Sequence, residues 1–571
     1  MPVAGQYYLR GEVKNDKNKP LPNVRIFVHS TRSFFQTGAP SGTFGINERV
    51  VKDSLTLTLD GYETLKVEVI TSQWQTLIMK PLADISSKNK PKLISVTQDY
   101  SQRTGRQWFA TDETYFQLVE NEFVQAKQYP NTGYSMNVNK ASYSNVRRFL
   151  KMGSIVPPDA VRTEELINYF NLKFQPPEDG KLFRMQTQLT SCPWNKEHQL
   201  LYINASAKKL DLEKVPPGNF VFLIDVSGSM DMPNRLPLVK AAFQLFTKNL
   251  RDVDTVSIVT YGGYVQIWLD PTSGKEKEKI LKSIEELEAQ GDTPGESAIK
   301  IAYQLARTHF IKEGNNRVIL ATDGDFNVGQ TSEKALEELI SNQKQSGVYL
   351  TCLGVGMGNF KDSKLQTLAK KGNGNYAYLD DIQEAERVLV KELTQTFYAV
   401  ADDVFMNVKF DSTKVKEYRL IGFDNKKEAL SDSVSNLEGG EVGSGSSVLA
   451  LFEVALHPVS TSLSGSLASL TLKFSLNNDL LHREYHYEVL NNFTPLEQSD
   501  QEIQLATAVT MFALKLRESK FAAGISWQMI KDMVKKSVNP NVYIQNEFSQ
   551  LVDKAIKLYG ANSKKKTKES E

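Results

Sequence analysis

The sequence predicts a multidomain α/β plus β protein in which a doubly wound, Rossmann-like domain is inserted in a β-sandwich. Apolar strand-like runs alternate with amphipathic helical segments over 216–398, a pattern typical of a parallel sheet covered by helices on both faces. Strand-like segments without helices lie on both sides of this region, at 183–206 and 399–490. We expect these flanking strands to form one sandwich, since the two ends of an inserted domain usually lie close together.

Residues 1–82 are predicted to form a small all-β unit. YLRGEV, VRIFVH, LTLTLD and LKVEVI alternate between apolar and polar residues, and turn-forming segments separate them. The segments GEV, PLPNVRIFV, GTF and GYE resemble those of the carboxypeptidase-regulatory-like domain, a transthyretin-like β-sandwich. The resemblance implies a spacer or adhesion unit, not a peptidase. Residues 83–114 are polar and lack periodicity, which predicts a linker.

Residues 115–215 contain SYSNVRRF and VRTEELINYF, which resemble the N-terminal flank of bacterial YfbK-type von Willebrand A proteins. The matching residues are Ser142, Tyr143, Asn145, Arg147, Arg148, Phe149, Val161, Arg162, Glu164, Glu165, Asn168, Tyr169 and Phe170. Asn137 and Asn139 stand where that family more often has Asp, so the resemblance carries no acidic role to them.

Two helices are predicted in this flank. Asn139 is a candidate cap for the first, and Thr163 with Glu164 and Glu165 opens the second. We expect the charged residues of both helices to tie the flank to neighbouring elements, with solvated helix faces as the alternative. These residues are Arg147, Arg148, Arg162, Glu164 and Glu165.

The central region, 216–398, has six predicted strands and six predicted helices. The strands are FVFLID, TVSIVTY, VQIWLD, RVILAT, VYLTCLGVG and NYAYLD. The helices are RLPLVKAAFQLFTKNL, KEKILKSIEELEA, ESAIKIAYQLARTHFI, EKALEELISNQKQ, SKLQTLAKKG and EAERVLVKELTQTF. This alternation predicts the doubly wound sheet.

The strand FVFLID ends on Asp225 and continues as Asp-Val-Ser-Gly-Ser with Ser227 and Ser229, and the strand RVILAT is followed directly by Asp323. Thr293 lies between them in AQGDTPGES. The carboxyl ends of parallel strands open into the ligand crevice of such a sheet, so these hydroxyls and carboxylates are expected to converge. All are hard oxygen donors, which suit Mg²⁺ or Mn²⁺. Taken singly, the Asp and Ser residues are equally compatible with turn and cap roles.

The set resembles the metal-ion-dependent adhesion site of von Willebrand factor A (VWA) domains. The resemblance implies that Ser227 and Ser229 bind the ion directly, that Thr293 binds directly or through water, and that Asp225 and Asp323 act mostly through water. The expected ion is Mg²⁺, with Mn²⁺ or Ca²⁺ as alternatives. Mainly neutral ligands leave the ion much of its charge, so it takes an Asp or Glu carboxylate from a protein partner.

The sequence departs from the family pattern of this site at one position. Asp292 stands where the family often has a small residue before the threonine. It either adds negative charge near the ion or faces solvent.

The C-terminal third returns to β structure and then to helices. Residues 399–490 contain five strand-like runs, and KVKEYRLIGFDNK followed by EGGEVGSGSSVLALFEV resembles the YfbK-type C-terminal flank. Residues 491–560 are predicted to be helical, with Leu505, Val509, Phe512 and Leu516 on one face as a core stripe. The charged segment 561–571 is predicted to be a disordered tail.

Bulk properties exclude several classes of protein. With 68 Lys and Arg against 67 Asp and Glu, the net charge of +1 gives no electrostatic case for nucleic acid as a partner. No apolar run reaches transmembrane length. Two cysteines exclude a disulfide framework; Cys352 is expected in a core, and a bridge between Cys192 and Cys352 stays open. Composition does not determine the oligomeric state.

The compartment also stays open on the sequence. The N-terminus, MPVAGQYYLRG, lacks the basic and apolar regions of a signal peptide. The chain is therefore cytoplasmic, or a leader has been removed before Met1. The family resemblance favours an extracytoplasmic, cell-envelope location with a lipid anchor as one option.

The motifs give no positive case for an enzyme. A haloacid dehalogenase-type phosphatase needs an aspartate where Ser227 stands. Asp323 and Asp325 form a D-x-D pair, but the sheet order and the Ser227–Ser229 pair favour Asp325 as a residue that contacts the metal ligands or as a loop residue. GVGMG at 354–358 lacks full dinucleotide-loop spacing and is expected to follow a central strand. The leading hypothesis is a non-enzymatic, cation-dependent protein-binding or adhesion protein. The alternatives are an intracellular assembly or chaperone component working with an AAA-type ATPase and, more remotely, a metal-dependent hydrolase.

Overall fold

A computed structural model describes most of the chain. The described residues are 7–31, 33–38, 41–48, 50–59, 62–81, 113–115, 120–211, 213–291, 295–324, 340, 346–358, 360–423, 439–458, 465–476 and 481–569, with side chains as far as 560. Most of the predicted linker 83–114 lies outside these ranges, as do Asp292, Thr293 and Asp325.

The N-terminal unit consists of two small sheets that share one core. Its strands are β1 (Tyr7–Asn15), β2 (Arg25–Val28), β3 (Ser33–Gln36), β4 (Thr43–Glu48), β5 (Lys52–Thr58), β6 (Leu65–Ile70) and β7 (Trp74–Met79). One sheet has the order β4-β1-β7 and the other β3-β2-β5-β6. Buried residues alternate along β2, where Ile26 and Val28 point into a core shared with Leu9 and Val13 of β1.

The flanking region before the central domain mixes short strands with two helices. Its elements are β8 (Val124–Gln125), β9 (Asn131–Ser135), α1 (Ala141–Lys151), α2 (Thr163–Ile167), β10 (Phe183–Ser191) and β11 (Gln199–Ala207). Helix α2 begins at Thr163 with Glu164 and Glu165 in its first turn, as the sequence predicted.

The predicted cap at Asn139 is wrong. Helix α1 has no side-chain cap from its preceding residue, and the backbone N–H of Ser142 donates to Glu165 Oε2 at 2.8 Å. Asn139 Oδ1 instead accepts from the backbone N–H of Tyr376 at 3.0 Å. A carboxylate from a neighbouring helix thus serves the first turn of α1, and a purely local rule cannot foresee that.

The central domain is a six-stranded sheet with helices on both faces. Its strands are β12 (Gly218–Asp225), β13 (Thr255–Gly262), β14 (Tyr264–Ser273), β15 (Asn315–Thr322), β16 (Val348–Gly354) and β17 (Tyr376–Tyr378). Its helices are α3 (Leu236–Lys248), α4 (Lys277–Glu285), α5 (Gly295–Thr308), α6 (Asp362–Lys371), α7 (Ile382–Glu386) and α8 (Leu393–Phe397). The sheet order is β14-β13-β12-β15-β16-β17, and β14 runs antiparallel to β13 at one edge.

Strand β12 lies at the centre of this domain and is buried along its whole length. Phe220, Phe222 and Ile224 pack in one core with α3, whereas Val221 and Leu223 pack in a second core with α5. A strand that is apolar on both faces requires helices on both sides of the sheet, which explains the doubly wound arrangement. The helix predicted over 333–345 lies outside the described residues apart from Ile340. The last predicted helix is interrupted by a π-helical turn at 387–391, between α7 and α8.

Strands from before and after the central domain pair with each other. The later strands are β18 (Ala399–Phe410), β19 (Val415–Ile421), β20 (Gly440–Gly443), β21 (Ser447–Leu456), β22 (Ser466–Ser475) and β23 (His482–Leu490). One sheet has the order β10-β11-β21-β19-β8, and the other has β20-β18-β22-β23 with β9 also paired to β18. Buried residues of the two sheets, such as Ile203 and Leu472, belong to one core.

Three helices complete the described chain: α9 (Gln501–Leu516), α10 (Trp527–Ser537) and α11 (Tyr543–Glu569). The predicted stripe of α9 is confirmed as core, since Leu505, Val509, Phe512 and Leu516 are all buried. Helix α11 continues to Glu569, in contrast to the disordered tail predicted from 561. Lys and Glu are good helix formers, so the charge of this segment does not interrupt the helix. No helix in the described ranges combines the length and apolarity needed to cross a bilayer.

The two cysteines are buried and not bonded to each other. Cys352 lies in β16 within the core against α5, as expected. Cys192 packs in the core of the C-terminal helices, and burial raises the pKa of its thiol to about 12. The bridge that the sequence left open is therefore not formed.

Arg147 of α1 connects three parts of the molecule through buried ion pairs. Its Nε donates to Asp380 at 2.8 Å, its Nη2 to Glu384 at 2.9 Å and its Nη1 to Glu547 of α11 at 3.1 Å. The Arg147 side chain is only 4% exposed. The predicted tie between the flank and neighbouring elements is confirmed here, and it reaches both the central domain and the last helix.

The other charged residues of the flank also form buried ion pairs, except Glu164. Arg148 pairs with Glu113 at 2.8 Å. Arg162 pairs with Glu165 at 2.6 Å and with Asp362 of α6 at 2.7 Å. Glu164 is buried too, but its Oε2 has no hydrogen-bond partner among the described residues.

Candidate metal site

The register of the central sheet brings Asp225 and Asp323 to the same edge. Strands β12 and β15 are parallel neighbours, with Ile224 opposite Ala321. Asp225 therefore ends β12 beside Thr322, and Asp323 is the next residue along the chain. Asp225 is fully buried and Asp323 is 4% exposed.

The loop after β12 arranges three oxygen-bearing side chains in sequence. Asp225 Oδ1 accepts from the backbone N–H of Ser227 at 2.9 Å and from its hydroxyl at 2.6 Å. Ser227 Oγ lies 3.1 Å from Ser229 Oγ. Because Asp225 attracts the Ser227 proton, the lone pairs of the Ser227 oxygen remain for other partners. Ser227 is buried and Ser229 is exposed, so the row of oxygens leads from the sheet to the surface.

Two residues that the sequence analysis missed hold the second oxygen of Asp225. Thr322 Oγ1 donates to Asp225 Oδ2 at 2.8 Å, and the hydroxyl of Tyr261 donates to it at 3.2 Å. Tyr261 is directly opposite Asp225 in β13. Aligning the three strand ends would have identified both residues. Together they fix the orientation of the Asp225 carboxylate.

Burial is the main influence on the ionisation of Asp225. It raises the pKa of this carboxyl to about 6, and the negative charge of Asp323 acts in the same direction. Hydrogen bonds from Ser227 and Thr322 favour the ionised form and oppose the shift.

Arg235 is the third residue that the sequence analysis missed. Its Nη1 donates to Asp323 Oδ2 at 2.7 Å and to the Ser229 carbonyl oxygen at 2.5 Å. Its Nη2 donates to the carbonyl oxygen of Met357 at 3.0 Å. Met357 belongs to GVGMG, which follows β16 as the sequence predicted. A basic residue six positions after Ser229, just before α3, was the available signal.

Thr293 lies outside the described residues, but the segment that leads to it reaches the site. The backbone N–H of Gly228 donates to the Gly291 carbonyl at 2.9 Å. Gly291 has a φ of +73°, and a Cβ there would lie 2.5 Å from the Gly263 nitrogen. Only glycine fits this close contact between loops.

The donor set fits a hard divalent cation. In the described part of the chain, no group of three or more His, Cys, Asp or Glu side chains could hold a metal. A metal here would instead use the hydroxyl oxygens of Ser227 and Ser229 beside the carboxylates of Asp225 and Asp323. Oxygen-only sites of this kind suit Mg²⁺ more than the softer transition metals.

Comparison with protein families identifies the class of the central domain. Residues 219–396 match the model of the von Willebrand factor type A domain, and residues 109–202 match a model described as von Willebrand factor. The central unit is thus a VWA domain, a class that typically mediates protein interactions and commonly binds a divalent metal.

Residues 395–558 match a model described as "Uncharacterized protein YfbK, C-terminal". The chain is 36% identical to YfbK of Escherichia coli K12 over 471 residues, which cover 77% of this chain and 80% of that protein. The chain belongs to the YfbK family.

Two other proteins are similar at lower sequence identity. Inter-alpha-trypsin inhibitor heavy chain H3 of Mus musculus is 26% identical over 206 residues, covering 34% of this chain and 22% of that protein. A solved von Willebrand factor type A structure from Catenulispora acidiphila aligns with a TM-score of 0.39 at 14% identity, covering 64% of this chain and 89% of that one.

Proposed function

We propose that this chain is a non-enzymatic, divalent-cation-dependent protein-binding or adhesion protein. Mg²⁺ would be held by Asp225, Ser227, Ser229, Thr293 and Asp323. The observation that carries the proposal is the oriented row from Asp225 through Ser227 to Ser229, at the sheet edge where Asp323 also lies.

The bound ion would supply Lewis acidity for a carboxylate oxygen of the partner. Asp225 would support the ion from inside the site and would not contact the partner, because its two oxygens accept hydrogen bonds from Ser227, Thr322 and Tyr261. The hydroxyls nearest the surface are neutral, so the ion keeps most of its charge for an Asp or Glu of the partner.

Exposed apolar side chains around the site support a protein as the partner. Met232 is 51% exposed, Met357 is 39% exposed and Tyr264, at the start of β14, is 58% exposed. Arg235 links both methionines, since its backbone N–H donates to the Met232 carbonyl and its Nη2 to that of Met357. Met and Tyr are enriched in protein interfaces, so a carboxylate flanked by apolar groups matches this surface.

Calorimetric titration of EDTA-treated protein with Mg²⁺ and Mn²⁺ tests the proposal. We expect saturable binding that the Asp323→Ala variant loses. Ser257→Ala is the matched control, because it deletes a buried hydroxyl of β13 that has no hydrogen-bond partner among the described residues. Equal binding by the wild type and Asp323→Ala would refute the assignment.

Cation affinity should fall as the pH is lowered through the pKa of Asp225. That pKa is about 6, so only about a tenth of the carboxyls are ionised at about pH 5 and Mg²⁺ affinity should be about tenfold weaker than at about pH 7.5. The stability of the protein without cation should instead rise as the pH is lowered. The pKa of Asp225 is higher in the folded state than its ordinary value of 3.8, so this carboxyl favours folding below about pH 3.8, and the contribution is lost as the pH rises through about 6. Calorimetry at the two pH values checks the result, and an unchanged affinity would contradict it.

We also propose that the flanking strands form one β-sandwich that carries the VWA domain as an insertion. The pairing of β11 with β21 and of β9 with β18 supports this arrangement. For the N-terminal unit we propose a carboxypeptidase-regulatory-like spacer or adhesion module, which is supported by its two small sheets around one core.

A further inference from the structure

Arg235 places a fixed positive charge inside the candidate metal site. Its side chain is 11% exposed, and its partner Asp323 is 4% exposed. The guanidinium is held by Asp323, by the carbonyl of Ser229 and by the carbonyl of Met357. These three hydrogen bonds leave the group little freedom to move away.

This charge opposes the binding of a cation beside it. A guanidinium stays protonated at all accessible pH values, and the ion would share Asp323 with it. Two positive charges close together in a partly buried site repel each other more strongly than in water. The same charge attracts an incoming carboxylate.

We propose that Arg235 couples the two binding events. It weakens binding of the divalent cation alone, and it strengthens capture of a carboxylate once the cation is present. Because such coupling is reciprocal, a carboxylate also strengthens cation binding. This inference rests on the proposed function. The site would bind its ion weakly in the free protein and tightly once an Asp or Glu carboxylate of the partner is bound.

A purely structural role for Arg235 predicts the opposite result. If Arg235 only holds the loops of Ser229, Asp323 and Met357 together, its removal loosens the site and cation affinity falls. The direction of the change in affinity therefore separates the two roles.

The test is a titration with Mn²⁺ followed by electron paramagnetic resonance, with and without acetate as the carboxylate probe. We expect Arg235→Gln to bind Mn²⁺ about tenfold more tightly than the wild type without acetate, since one nearby positive charge is removed. Arg235→Lys keeps the charge and should match the wild type. Acetate should tighten Mn²⁺ binding by the wild type, and by a smaller factor in Arg235→Gln, where only the ion attracts it.

Each outcome decides the question. Equal or weaker Mn²⁺ binding by a folded Arg235→Gln variant overturns the coupling and leaves the proposed function intact. If that variant does not fold, Arg235→Met serves as the neutral variant, and equal or weaker Mn²⁺ binding by it overturns the coupling in the same way. If no Mn²⁺ binding depends on Asp323 in any of these proteins, the proposed function fails and the coupling fails with it.

Discussion

Replacing Asp225 with alanine should reduce Mg²⁺ affinity by about a hundredfold, because residues that orient metal ligands typically contribute up to this factor. The variant loses the acceptor that orients the Ser227 hydroxyl at 2.6 Å. It also leaves the hydroxyls of Thr322 and Tyr261 without the oxygen to which they donate. Calorimetric titration gives the affinity directly. Retention of partner proteins that EDTA releases from the immobilised chain should disappear in parallel.

The control for this experiment is Ser257→Ala, whose buried hydroxyl makes no hydrogen bond with the described residues. Its affinity should equal that of the wild type. Circular dichroism must show that Asp225→Ala remains folded at the assay temperature. A folded Asp225→Ala variant with wild-type affinity would remove Asp225 from the site.

Replacing Arg147 with methionine should destabilise the protein by about 3–5 kcal/mol, which is the usual cost of leaving buried charges without their partner. Both oxygens of Asp380 accept from Arg147, and burial already raises the pKa of Asp380 to about 6. Glu547 of α11 loses the same partner. Burial would raise the pKa of Glu384, but Arg387 and Arg147 together hold it at about 2. Urea denaturation measures the free energy of unfolding.

Lys151→Met provides a matched control on the same helix. Lys151 pairs with Glu547 at 2.9 Å but is 41% exposed, so its removal should cost less than about 1 kcal/mol. A similar cost for the two variants would show that burial of the Arg147 network does not determine its strength.

The local parts of the site could be predicted from the sequence. Apolar runs that end on Asp225 and Asp323 specify buried strands, and the spacing from Asp225 to Ser229 is short enough for one loop to fix their contacts. Tyr261 and Thr322 were missed because they reach Asp225 through the register of neighbouring strands, and Arg235 because it reaches Asp323 from a separate segment before α3. The metal assignment itself remains a prediction that the titrations test.

Long-range charge pairs show the same limit. The sequence indicated that Arg147 ties elements together, but its partners Asp380 and Glu547 lie 233 and 400 residues away along the chain. Asn139 illustrates the converse case, in which a sound local rule fails. Glu165, brought close by the fold, supplies the acceptor for the first turn of α1.

The pairing of β11 with β21 has a mechanical consequence. The ladder runs from Gln199 opposite Val454 to Ser206 opposite Ser447, so it closes a loop that contains the whole VWA domain. Tension between the two outer ends of these strands is carried by the ladder while its hydrogen bonds hold. The VWA domain, with its candidate metal site, then lies outside the backbone path of the load. Along the backbone, force reaches that domain only after the ladder has opened, beginning at the Gln199–Val454 end.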